Sequence, residues 1–169
     1  MEFKSIDPWR GSDITFTAQR WARNSCPYVS IVHLSFEGNY RDGSSGAPDA
    51  HYMVGIRSIV QGAWYPSAMI LDLSKLSYDW GDEMDLLIPS DGDRDAVIVG
   101  DQCSNALATL MFGIDTRKSI TDAANYFDNF ASALAYVANY QLERWNKSEL
   151  RLDLSQAKLL SLEDLLNDR

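Results

Sequence analysis

Two short, uninterrupted apolar runs constrain this chain more than any other feature. Ala68-Met69-Ile70-Leu71 and Ala96-Val97-Ile98-Val99 contain no polar residue. Runs of this length suit strands buried on both faces, the central position of a parallel sheet. Such a sheet needs cover on both sides, so helices should alternate with its strands. The 169 residues suffice for one domain with a core of its own.

The rest of the pattern follows that expectation. Ser12–Arg23 has a composition that can carry a strand. Tyr28–Gly38 is the clearest early strand, with Val29, Ile31, His33 and Ser35 on one face and Ser30, Val32, Leu34 and Phe36 on the other. Apolar residues on both faces imply cover on both. A Gly/Ser/Asp-rich loop follows. From Asp49, placed to cap a first turn, Met53, Ile56, Ile59 and Val60 recur at helical spacing with Tyr52 and Ala63. Gly62 and Pro66 stop that helix. Ser104 is placed to cap a second helix, in which Leu107, Leu110 and Met111 share a face and which Gly113 ends. A short extended piece is expected within Ser119–Asp128. A long helix carrying Phe130, Leu134, Val137, Ala138 and Leu142 then reaches Trp145. The order predicts a single α/β domain over residues 1–145, with an N-terminal extension, a mostly parallel or mixed sheet and helices packed on it. Residues 146–169 form a leucine-rich amphipathic tail, expected to pack on that domain.

The link between the two apolar runs is unlike the rest. From Tyr78 to Asp95 it holds Asp79, Asp82, Glu83, Asp85, Asp91, Asp93 and Asp95, with Arg94 as its one base. The whole chain carries a net charge of −9. That charge repels nucleic acid and anionic membranes and favours a basic partner. No stretch approaches the length of a membrane-spanning helix. The first residues lack the basic and apolar regions of a signal peptide. With two scattered cysteines, Cys26 and Cys103, a disulfide framework is not expected, and the chain reads as cytoplasmic.

Catalytic and metal readings find little in the sequence. Hydrolysis by a nucleophile needs a base and an orienting group beside it. Here there are two histidines, His33 in a strand and His51 at a helix start, and no G-x-S-x-G elbow. Cys103 stands near a helix N-terminus, where a thiol pKa can fall; the alternative is a small packed thiol. Asp82 and Asp85 have the spacing to share a helix face and act as acid and base, or to serve as an acidic first turn. Asp91, Asp93 and Asp95 resemble the opening of a calcium loop, but Ala96 and Gln102 stand where Gly and Glu are required. "GNYRDGSSG" lacks the Gly-Lys-Ser/Thr ending of a P-loop. No cofactor and no metal are expected. Trp80, beside Gly81, suits either the core or an interface, where tryptophan is a frequent anchor.

Element order and several stretches resemble the STAS domain, the small α/β fold of anti-sigma-factor antagonists. "IVHLSFEG" is similar to that family's first core strand, and "HYMVGIRSIVQ" to its first helix. "AMILDLSKLSYDWGDEM" is similar to the stretch in which an apolar strand leads to a phosphorylated Ser or Thr. "AVIVGDQCSNALATLMFGID" and "NYFDNFASALAYV" are similar to the following strand–helix units. The resemblance covers roughly Tyr28 to Tyr140. It implies a protein-binding role switched by phosphorylation, yet Gly81 and Asp82 stand where the hydroxyl should be. Asp82 would then be a fixed, partial mimic of a phosphate.

The resulting expectation is a non-catalytic, acidic protein-binding module. Its contact residues would be Asp79, Trp80, Asp82, Glu83, Asp85, Asp91 and Asp93. Its partner would be a basic protein, in the most specific form a bacterial toxin that it neutralises as an immunity protein. Alternatives are a STAS-type regulator without its phosphorylatable serine, and a small enzyme using paired carboxylates or Cys103.

Overall fold

The computed structural model describes residues 12–23, 26–81 and 83–147. Five strands and three helices follow in the order β1 (Thr15–Arg23), β2 (Cys26–Asn39), α1 (Ala47–Trp64), β3 (Ala68–Ser77), β4 (Ala96–Val99), α2 (Ser104–Phe112), β5 (Tyr126–Phe127) and α3 (Phe130–Lys147). The strands lie in one sheet in chain order. β1 pairs antiparallel with β2, and β2 to β5 run parallel. The chain is therefore α/β with a mixed, mostly parallel sheet.

The two apolar runs sit at the centre of that sheet, paired to each other as Ile70–Ala96 and Leu71–Val97. Strand side chains alternate between faces. On one face Val32, Leu34, Phe36, Met69, Leu71, Leu73, Val97 and Val99 are buried against Met53, Ile56 and Val60 of α1 and Leu107 of α2. On the other, Ile31, Ala68, Ile70, Ala96 and Ile98 pack on Ala133 and Val137 of α3. This two-sided burial is why the runs could not alternate with polar residues.

Local details differ from the sequence reading. α1 begins at Ala47, with Pro48 in its first turn, where the missing N–H costs nothing. Asp49 is therefore inside the helix, and its carboxylate is taken by Arg41 rather than by the helix N-terminus. α1 ends as Tyr65 turns left-handed at φ 44° before Pro66. Cys103 rather than Ser104 holds the N-cap position of α2, without a side-chain bond. α3 runs to Lys147, and the leucine-rich tail beyond it lies outside the described residues. Among the described residues no helix is long and apolar enough to cross a membrane.

Among its described residues the link from β3 to β4 contains no α-helix. A single 3-10 turn, Met84–Leu86, plugs Met84 into the core, followed by buried Leu87. Because β3 and β4 are parallel, this link must travel the length of the sheet. Tyr78 leaves at the carboxyl end of β3. Asp95 enters β4 beside Met69, about 25–30 Å away at ~3.3 Å per residue.

Candidate functional site

Three loops meet at the carboxyl ends of the parallel strands, and backbone bonds stitch them together. The Tyr40 N–H donates to the Ser77 carbonyl at 2.9 Å, that of Gly43 to Trp80 at 3.4 Å, and that of Tyr78 to Gln102 at 3.1 Å. Gly43 and Gly81 form a parallel bridge. Beneath them the buried rings of Tyr40 and Tyr78 meet edge to face, 5.1 Å apart. Gly46 and Gly81 make this close approach possible. A Cβ on either would lie within 2.2 Å and 2.5 Å of the Tyr40 ring.

This packing decides the fate of Trp80. With Tyr78 turned inward, its hydroxyl donating to the Gly81 carbonyl at 3.2 Å, the indole is left outside. Trp80 is 61% exposed and lies over Gly43, where a Cβ would come within 2.8 Å of the ring. Gly43 has φ 60°, a conformation that favours glycine. The sequence left Trp80 open between core and surface; it is on the surface.

Carboxylates surround this crest. Asp79 is exposed beside Trp80. Asp42 and Asp101, from the neighbouring loops, are exposed as well. Glu83 pairs with His51 at the start of α1. Its φ of 70° is strained for a residue with a side chain. Asp85 follows on the surface of the 3-10 turn, with Leu86 also exposed. Asp82 lies outside the described residues. Among the described residues Asp42, Asp79, Asp85 and Asp101 make no ion pair. Arg41, the nearby guanidinium, is committed to Asp49 by bonds of 2.9 and 2.8 Å, and its N–H donates to the same carboxylate at 2.9 Å. Burial alone would raise the Asp49 pKa, but these bonds, with one from Ser12, outweigh it and hold Asp49 below its usual range.

The remaining acidic residues are elsewhere. Asp91 and Asp93 are exposed at the opposite end of the sheet, so the fold does not bring all the sequence-predicted contacts together. Asp91 accepts from the Ala124 N–H at 2.8 Å and so helps hold the entry to β5. The Asp93 carbonyl accepts from the Tyr136 hydroxyl at 2.6 Å. Asp95 is buried and satisfied internally. It accepts from Arg57 Nη2 at 3.0 Å and from the Met69 N–H at 2.8 Å. The intramolecular Arg57 therefore takes the part that a basic partner would otherwise play.

Two features concern the catalytic readings. The Cys103 thiol is 1% exposed, and burial pushes its pKa up, which disfavours the thiolate. Its Sγ lies 3.4 Å from the Leu73 carbonyl. His33 and Asp72, neighbours across β2 and β3, are 3.0 Å apart between Nε2 and Oδ2. Burial raises the Asp72 pKa, yet the bonds from His33 and Ser74 outweigh it and lower the pKa overall. His33 also lines a cavity of about 160 Å³ whose walls include Trp21, Ile31, Ile70, Phe130 and Leu134. No local pattern marks this pair, because its members are 39 residues apart. Among the described residues no serine, threonine or cysteine side chain lines that cavity. Among the described residues no group of acidic, histidine or cysteine side chains is arranged to hold a metal.

Comparison with protein-family models, curated proteins and solved structures returns no match.

Proposed function

We propose that this chain is a non-catalytic binding module of STAS-like architecture whose crest engages a basic protein. The observation that carries the reading is Trp80. A large aromatic side chain, 61% exposed, stands on a glycine-built crest beside Asp42, Asp79, Asp85 and Asp101, which have no ion pair within the described residues. Tryptophan anchors interfaces out of proportion to its numbers. Open carboxylates around it supply complementarity to Lys and Arg and accelerate encounter. Leaving the indole in water costs the free protein hydrophobic burial, and a partner would recover it. The most specific form of the reading is an immunity protein that neutralises a basic toxin by direct binding.

The partner to try first is the product of the open reading frame immediately upstream, co-expressed with this chain. The expected result is a co-purifying complex whose affinity falls with salt. Trp80→Ala should weaken it by at least about 30-fold, the loss of roughly 2 kcal/mol typical of an anchor. Failure to co-purify, or an affinity indifferent to Trp80→Ala, would argue against the reading. The regulator alternative is favoured by one observation: the crest follows β3, where the family resemblance puts its switch. It predicts capture of a kinase-like anti-sigma protein instead.

A further inference from the structure

The two edges of the sheet are built differently. β5 has two residues, flanked by the Ser119 capping box and by Asn129, whose side chain accepts from the Ser132 N–H at 2.8 Å. β1 has nine residues, contains neither proline nor lysine, and is rich in β-formers. Its outer side pairs with no strand among the described residues. Sheets usually blunt such an edge with short strands, proline, charged side chains, bulges or a charge turned inward. β5 is blunted by its length, whereas β1 is long, and its two arginines and the register shift at Ala22/Arg23 lie in its carboxyl half.

We propose that β1 pairs antiparallel with β1 of a second copy of this chain, about a two-fold axis at Ala18. The two sheets then become one. In this register Ala18 faces its own copy, Thr17 faces Gln19, Thr15 faces Trp21, and Phe16 faces Arg20. Each pair occurs twice by symmetry. Residues facing each other lie on the same side of the sheet, as the alternation along β1 requires. Phe16 is 40% exposed and Arg20 is exposed, so both are open to a neighbour. Guanidinium over an aromatic ring is a favourable cross-strand contact. Moving the axis to Gln19 would lose the Phe16–Arg20 match and bring the two Arg20 residues onto a diagonal. The choice of edge also follows from charge. On a chain of net charge −9, β1 carries two arginines and no carboxylate, so two copies approach there with least repulsion. Pairing at β1 leaves Trp80, which follows β3 two strands away, open to its own partner.

The test is the solution mass of the full chain by light scattering across a concentration series. A dimer of twice the 19.0 kDa chain mass is expected. Phe16→Arg sets like charges opposite each other at two symmetric positions and should weaken the dimer by at least about tenfold, with an unchanged far-ultraviolet spectrum. Phe16→Arg/Arg20→Glu restores opposite charges and should restore the dimer. Should Phe16→Arg lose the fold, Thr17→Asp/Gln19→Asp gives the like-charge arrangement on the other face. A monomer at every concentration would overturn the proposal, including the case in which another segment of the same chain covers β1. So would a dimer that survives the like-charge variants, or one that the Phe16/Arg20 exchange does not rescue.

Discussion

Replacing Asp95 by alanine should be the most destabilising single change in the acidic link, although six other carboxylates there look alike in sequence. Its two oxygens have two tasks. Oδ1 accepts the N–H of Met69, a residue 3% exposed at the start of a central strand. Oδ2 accepts from Arg57, whose side chain is only 20% exposed. Leaving a buried N–H without a partner costs about 1–3 kcal/mol. Removing one member of a mostly buried ion pair costs about 3–5 kcal/mol, less here because Arg57 keeps its bond to the Leu87 carbonyl and some solvent. The sum for Asp95→Ala is about 4–5 kcal/mol. Asp95→Asn retains an acceptor for Met69 and gives up only the charge, at about 2 kcal/mol. In a chain of this size the two variants should lower Tm by roughly 10–15 °C and 5 °C. Urea unfolding of wild type and both variants at neutral pH gives the comparison. A cost below about 1 kcal/mol for Asp95→Ala, or equal costs for both variants, would refute the assignment of Asp95 to the interior.

Three further outcomes follow from the geometry. Gly43→Ala meets a left-handed backbone and a Trp80 ring 2.8 Å from its new Cβ; it should cost about 1 kcal/mol of stability and displace the indole, seen as a shift in Trp80 fluorescence. Asp49 and Asp72 have lowered folded-state pKa values. Their stabilisation is therefore complete above the unfolded carboxyl value of about 3.9 and is lost as pH falls through the lower folded values. Urea midpoints should hold steady from these groups above about pH 5 and drop below about pH 4, less steeply in Asp49→Asn. Cys103 should resist alkylation at mildly alkaline pH in the folded chain and react on unfolding, as mass spectrometry of the peptide would record, because its thiol is buried and its pKa raised.

Burial on both faces was legible in the sequence because it leaves a one-dimensional trace: Ala96-Val97-Ile98-Val99 has no polar residue, and the strand is buried throughout. Helix spacing likewise located Met53, Ile56 and Val60 on the core face of α1, although Ile59 and Ala63, read with them, are exposed. What stayed hidden depends on contacts between residues distant along the chain. Asp95 and Asp93 look the same locally, and only Arg57, 38 residues earlier, separates a buried carboxylate from an exposed one. Asp91 and Asp79 are twelve positions apart in one link, and the parallel pairing of β3 and β4 sends them to opposite ends of the sheet. Trp80 was ambiguous for a similar reason. Its exposure follows from Tyr40 and Gly43 in another loop, which fill the space beneath it. Asp42, Asp101 and the His33–Asp72 pair were missed because no local pattern marks them.

In the proposed complex the crest, and not the acidic link as a whole, meets the partner. Asp79→Arg and Asp93→Arg change the net charge equally, from −9 to −7, so a general field effect weakens both alike. Their affinities for the upstream-encoded partner, measured by surface plasmon resonance at one salt concentration, separate local contact from overall charge. At least about a tenfold loss is expected for Asp79→Arg, some 1.4 kcal/mol, with Asp93→Arg close to wild type. Equal losses, or a larger loss for Asp93→Arg, would contradict a crest interface.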